Sequence, residues 1–183
     1  MLQRWNAVYN LTAIRDPAAM RVQHIFDSLA VVGPIVRAMA DLPEPHVLDV
    51  GSGAGLPGVV LAIAEPRLRV TCVDAVGKKA AFVAQVAAEQ GISNLQSLHA
   101  RVEFMGNAQF DAIVSRAFSS LSDFVGLTRD LLKPEGRWAA MKGRTPAEEI
   151  ENVSRSAEVF HVEQLTVPHL GAERCIVWMR PLH

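Results

Sequence analysis

The spacing of apolar residues along this chain changes character near residue 45. Ahead of that point the apolar positions recur at helical intervals. Leu2, Trp5, Val8 and Tyr9 form one short face that ends before Asn10, and Met20, Val22, Ile25, Phe26, Leu29 and Val32 form a second. Asp16 followed by Pro17 opens that second helix, because a carboxylate at the N-cap accepts an unpaired amide and proline loses nothing in the first turn. Residues 41–45, DLPEP, read as a linker. Beyond it, short apolar runs alternate with helical stretches. The pattern predicts strands at 46–50, 69–74, 95–100, 111–115 and 137–142, with helices at 57–64, 78–90, 122–132 and 146–154. Gly91 stops the second of these helices, and Pro134 with Gly136 closes the third. Two last strands, 159–166 and 174–180, flank a Pro168/Gly171 turn and predict an antiparallel hairpin. The expected architecture is one α/β domain over 1–183. A helical segment, 1–45, precedes a core, 46–183, with a mostly parallel sheet, helices on both faces and the hairpin at its end.

Composition narrows the class. With 183 residues, half of them hydrophobic and a fifth charged, the chain can bury an ordinary core without metal or disulfide staples. Cys72 and Cys175 each lie in an apolar run and lack metal-ligand spacing, so buried free thiols in a reducing compartment are expected. The longest apolar stretch, 29–40, is broken by Gly33, Pro34 and Arg37, and the N-terminus lacks a basic-then-apolar leader. A cytoplasmic protein with no membrane segment is expected. The net charge of −1 gives no general support for nucleic-acid binding, although a local basic patch would suffice.

The richest stretch is 47–58, VLDVGSGAGLPG. An apolar strand runs through Asp49 into a glycine bend and then a helix. Glycine there lets a ligand lie against the backbone where a doubly wound sheet opens a nucleotide-type pocket. Gly53-x-Gly55-x-x-Gly58 fits a dinucleotide fingerprint, and Asp49-x-Gly51-x-Gly53-x-Gly55 fits motif I of class I, Rossmann-like methyltransferases, which use S-adenosylmethionine. A carboxylate before the loop would repel a pyrophosphate but suits an ammonium and a sulfonium, so Asp49 favours the methyl donor. Asp74, at the end of the second strand, is placed to accept ribose hydroxyls or to cap the next helix.

Other strand ends add candidates. Arg101-Val102-Glu103 follows the third strand, on the side where adenine would lie; the plain alternative is a solvated ion pair. Arg116, in Ser115-Arg116-Ala117-Phe118, follows the fourth strand, and Lys142 ends the fifth. Both are catalytic or substrate-positioning candidates on the edge where such groups collect. His24 and Asp27 share a helix face, but without a third ligand no metal is expected.

Taken together these residues resemble the small-subunit ribosomal RNA guanine-N7 methyltransferase G family, also called glucose-inhibited division protein B. The likeness rests on Trp5-Asn6-x-x-Tyr9-Asn10-Leu11-Thr12-Ala13-Ile14-Arg15, His24-Ile25-x-Asp27-Ser28-Leu29 and the 49–58 loop. Gly77-Lys78-Lys79, Arg101-Val102-Glu103, Ser115-Arg116-Ala117-Phe118, Lys142-Gly143 and Gly171-x-Glu173-Arg174 then follow in order. The resemblance implies S-adenosylmethionine held by Gly51, Gly53, Gly55, Leu56, Val102, Glu103 and Arg116, with Asp74 on the ribose. It implies RNA contacts from Asn10, Arg15, Arg116 and Lys142. The implied substrate is a guanine in the 530 loop of 16S ribosomal RNA, guanosine 527 in the family, on free RNA or in the 30S subunit, with the enzyme a monomer. Family members carry a further segment before Trp5-Asn6, which leaves the Trp5/Tyr9 face expected to be partly uncovered. On the loop alone, an NAD(P)-dependent oxidoreductase or a methyltransferase for another substrate stays open, as does an RNA-binding factor without activity.

Overall fold

The computed structural model describes residues 1–106 and 108–182. Seven strands form one sheet in the order β3-β2-β1-β4-β5-β7-β6. They are β1 His46–Val50, β2 Arg69–Asp74, β3 Leu95–His99, β4 Phe110–Ser115, β5 Leu132–Lys142, β6 Ala157–Leu165 and β7 Arg174–Pro181. β1, β2, β3, β4 and β5 pair parallel to their neighbours, while β7 runs antiparallel to both β5 and β6. The chain winds outward from β1 to β3 and then returns to β4 on the other side of β1. The strand order therefore reverses between β1 and β4, where doubly wound sheets open a crevice beyond their strand ends.

Eight α-helices accompany the sheet among the described residues: α1 Leu2–Tyr9, α2 Pro17–Met20, α3 Asp27–Leu29, α4 Val32–Ala38, α5 Gly58–Ala64, α6 Gly77–Gln90, α7 Leu121–Thr128 and α8 Ala147–Val153. Alternation along the strands sends side chains to two separate cores. Val47, Ala112, Val114, Ala139, Ile176 and Trp178 pack with residues of α1, α4, α5 and α6. Leu48, Val50, Ile113, Trp138, Ala140, Val177 and Met179 pack with α7 and α8. Both faces of the parallel strands are thus covered, which explains why β1 and β4 read as continuous apolar runs rather than alternating ones.

The expected order of elements holds, with three local differences. The second N-terminal helix is not regular: after α2, capped by the Asp16 carboxylate on the Ala19 amide at 2.7 Å, residues Arg21–Phe26 form a π-helical turn before α3. The helix expected over 122–132 ends at Thr128, and a 3-10 turn at Arg129–Leu131 leads straight into β5. Pro134 and Gly136 therefore lie inside an elongated β5, next to the register shift where it pairs with β4. No helix among the described residues is long and apolar enough to cross a membrane.

The end of α7 is tied to the sheet by one polar contact in an otherwise apolar core. The Trp138 indole N–H donates to Thr128 Oγ1 at 2.8 Å, and both residues are fully buried. Thr128→Val preserves shape but leaves that N–H unpaired, and should cost about 1–3 kcal/mol. Urea denaturation followed by tryptophan fluorescence measures the loss.

Candidate cofactor and substrate crevice

The loop after β1 is shaped by close packing. A Cβ on Gly55 would come within 2.5 Å of Val59 Cγ2 and 2.9 Å of Val83 Cγ2, and one on Gly58 would strike Cys72 Sγ. Gly51, Gly53 and Gly55 all have positive φ, at 65°, 59° and 77°. Under the loop lies Asp49, wholly buried, whose Oδ2 accepts the Gly58 amide at 2.8 Å. Its Oδ1 has no partner among the described residues. Burial pushes the carboxyl up to about 7, against the pull of the Gly58 amide and the Arg116 charge.

Five of the loop amides are consumed within the protein. Gly51 and Ser52 donate to the Val73 carbonyl at 2.9 and 3.1 Å, and Gly55 and Leu56 donate to Ser52 O at 2.9 and 3.0 Å. Gly53 donates to Asp74 Oδ2 at 2.9 Å. The other Asp74 oxygen accepts the Val76 amide at 2.8 Å, so this residue braces the turn ahead of α6 without capping the helix, and it faces the crevice.

Two cavities meet at Gly51 and Ala117. The smaller, about 310 Å³, is bordered by Asp74, Arg101, Val102, Glu103 and Phe118. An Arg101–Glu103 ion pair of 3.1 Å stands at its rim and holds the Glu103 carboxyl below its ordinary range, behind the larger effect of a backbone amide. The larger, about 500 Å³, is bordered by Thr12, His24, Asp27, Leu56, Arg116 and Arg174, among others.

A buried carboxylate organises this second cavity. Asp27 Oδ2 accepts Arg116 Nη1 at 3.0 Å, and Oδ1 accepts Arg174 Nε at 2.8 Å. Arg116 is held further by its Nε–H on the Leu56 carbonyl at 3.1 Å. His24 Nε2 lies 2.8 Å from Thr12 Oγ1, and burial together with the Arg116 charge lowers the pKa of the ring, keeping it neutral at physiological pH. The π turn serves this cavity directly, since Gln23, His24 and Asp27 all reach it from one widened turn. Across the cavity the Lys142 ammonium donates to Phe118 O at 3.1 Å, Ser119 O at 3.4 Å and Glu149 Oε2 at 2.7 Å.

Residues 1–177 match the family model described as rRNA small subunit methyltransferase G. The chain belongs to that family. Relatives from Methylibium petroleiphilum and Bordetella avium, both named ribosomal RNA small subunit methyltransferase G, are 57% and 54% identical to it. Each alignment covers 98% of this chain and 80% of the relative. A solved magnesium protoporphyrin IX methyltransferase from Synechocystis, with bound SAM, is similar at a TM-score of 0.70 and 15% identity, over 98% of this chain and 90% of that one. A SAM dependent methyltransferase from Aquifex aeolicus gives a TM-score of 0.66 at 16% identity, over 93% and 96% of the two chains. At these identities the likeness is one of fold, the Rossmann-like class I methyltransferase fold.

Against this methyltransferase G framework, the residues singled out in the sequence divide clearly. Gly51, Gly53, Leu56, Arg116 and Lys142 border the larger cavity, and Gly51, Asp74, Val102 and Glu103 the smaller. Asp49 and Gly55 border neither: the first anchors the helix start and the second permits its approach, so both shape the loop from behind. Asn10 and Arg15 are exposed and bonded to each other at 3.1 Å; from their segment it is Leu11, Thr12 and Ile14 that border the cavity. Lys142 does not offer a free ammonium, because its three N–H groups meet three acceptors. Asp27 and Arg174 escaped the assignment of roles. They are 147 positions apart; Asp27 drew notice only as a polar helix-face neighbour of His24 and within a shared family segment, and Arg174 only within such a segment. Among the described residues no three His, Cys, Asp or Glu side chains are grouped to hold a metal.

Asp49 gives a pH signature. Its folded pKa lies above its unfolded one, so the native state binds the proton more tightly. Stability should therefore fall as pH rises from about 4 to about 7 and be flat in this term above that. Asp49→Asn retains an acceptor for the Gly58 amide and should remove that slope, as chemical denaturation at a series of pH values would measure.

Proposed function

We propose that this chain transfers a methyl group from S-adenosylmethionine to N7 of a guanine in the 530 loop of 16S ribosomal RNA. It does so as a cytoplasmic monomer acting on the RNA or on the 30S particle. The reading is carried by the paired cavities joined at Gly51 and Ala117, in a chain of the methyltransferase G family.

The crevice fits this cofactor and disfavours the dinucleotide alternative. A pyrophosphate needs unspent backbone donors at the glycine bend, whereas the amides of Gly51, Ser52, Gly53, Gly55 and Leu56 already donate within the protein. Asp74 and Glu103 would hold the nucleoside end, with Val102 against the base, and Arg116 would hold the carboxylate of the amino-acid end. When bound, the cofactor supplies an electrophilic methyl on a sulfonium, which leaves as a thioether.

The chain's own residues then need only position the acceptor. Guanine N7 carries an in-plane lone pair and no proton, so no general base is required. The methylated ring becomes cationic. Asp27 offsets the Arg116 and Arg174 charges beside it, so that the guanidiniums can donate hydrogen bonds without a large opposing field. Orientation supplies most of the acceleration in such a site.

Purified protein with labelled S-adenosylmethionine should modify undermethylated 16S RNA or 30S particles at a guanine that becomes cleavable by borohydride and aniline. Label on another base position, or on protein alone, would overturn the substrate assignment. Asp74→Asn should weaken S-adenosylhomocysteine about tenfold in a calorimetric titration, the size expected for one charge-assisted hydrogen bond. An unchanged dissociation constant would remove Asp74 from the nucleoside end.

A further inference from the structure

The wall shared by the two cavities is the 116–120 loop between β4 and α7, and it is held from outside the crevice. Arg116 reaches into the larger cavity, Phe118 borders the smaller, and Ala117 lies at their junction. Ser115 Oγ accepts the Ala117 amide at 3.0 Å at the near end, and Ser120 caps α7 through the Asp123 amide at 3.1 Å at the far end. Between these fixed ends the Phe118 and Ser119 carbonyls both receive Lys142 Nζ. That ammonium is fixed by Glu149 on α8, whose Oε2 also accepts the Leu121 amide at 3.0 Å.

We propose that Glu149 is a positioning residue for the reaction: through Lys142 it holds the 116–120 loop at the spacing that the two cavities require. Glu149 borders neither cavity, so it acts only through its partners. One carboxylate oxygen joins three elements, the β5 end, the α7 start and α8. An ammonium with only the Phe118 and Ser119 carbonyls as partners would be free to turn toward solvent, and the Phe118 side would lose its fixed depth. The side chain of Lys142 is largely buried, at 13% exposure, which raises the value of a charged partner beside it. The same contact explains why Lys142, at the end of a strand that faces substrate, is committed to protein carbonyls. The proposal rests on the methyltransferase reading of the crevice for its effect on turnover, but the loop clamp itself is measurable without any cofactor.

The test is Glu149→Gln, an isosteric change that retains an acceptor for the Leu121 amide and removes the charge beside Lys142. Three readouts are taken: amide hydrogen exchange over 117–121, the dissociation constant for S-adenosylhomocysteine, and kcat with KM for undermethylated 30S particles. Exchange over 117–121 should accelerate about tenfold, with cofactor affinity and kcat each falling by a similar factor and the RNA KM little changed. In a Lys142→Met background the second substitution should add almost nothing, since a residue acting through another has no separate effect once that partner is gone. Unchanged exchange in Glu149→Gln, or a full additional loss in the Lys142→Met background, overturns the clamp. Faster exchange with unchanged affinity and kcat reduces Glu149 to a fold contact and overturns its part in the reaction. A wild-type protein that binds no S-adenosylhomocysteine defeats the reading of the crevice and with it that part in the reaction, while the exchange measurement still decides the clamp.

Discussion

The hydrogen bond from the Gly58 amide to the buried Asp49 carboxylate constrains everything around the crevice. It ties the start of α5 to the middle of the sheet at a point where the helix backbone rests against Cys72 Sγ and only glycine fits. With the helix drawn so close, the connection from β1 turns through three residues of positive φ and folds its own amides inward. A loop of this kind offers a smooth backbone floor and few donors. That property separates it from the phosphate-binding version of the same bend, even though the glycine spacing is common to both.

The second determinant is the N-terminal segment. Asn6, buried, donates to the Ile14 carbonyl and accepts the Thr12 amide at 2.8 Å, which folds residues 10–15 over the mouth of the crevice. Asp27 then joins this segment to Arg116 from β4 and Arg174 from β7. The helices ahead of the sheet are thus a wall of the site. Trp5 packs edge-on against Phe82 of α6, with ring centroids 5.4 Å apart, while Tyr9 is exposed.

The succession of strands and helices, the helices on both faces of a mostly parallel sheet, and the placing of Gly51, Leu56, Val102 and Arg116 at the crevice were legible because each follows from local pattern: an apolar run, a glycine bend, a charged residue just past a strand. The misjudged features are those that depend on a partner distant in sequence. Asp27 lies on a polar helix face until Arg174 is placed beside it. Lys142 looks like a free cation until the Phe118 and Ser119 carbonyls are found beneath it. Asp49 reads as facing a ligand because nothing in its own strand shows that the Gly58 amide has already claimed it. The early end of α7 has the same origin: the chain leaves the helix at Thr128, whose hydroxyl meets the Trp138 indole, and Leu132 then pairs with β4.

The position of β7 has a consequence for how the site is assembled. Although β7 follows β6 in sequence, it is an interior strand of the sheet, inserted between β5 and β6, and it brings Arg174 to the Asp27 carboxylate. Until it is threaded home, β5 is a bare edge and the crevice lacks one wall. Because Asp27 and Arg174 lie 147 positions apart, this wall of the crevice forms only when the N-terminal helices and the hairpin are both docked, so the site is a product of the whole fold and not of any one part of it.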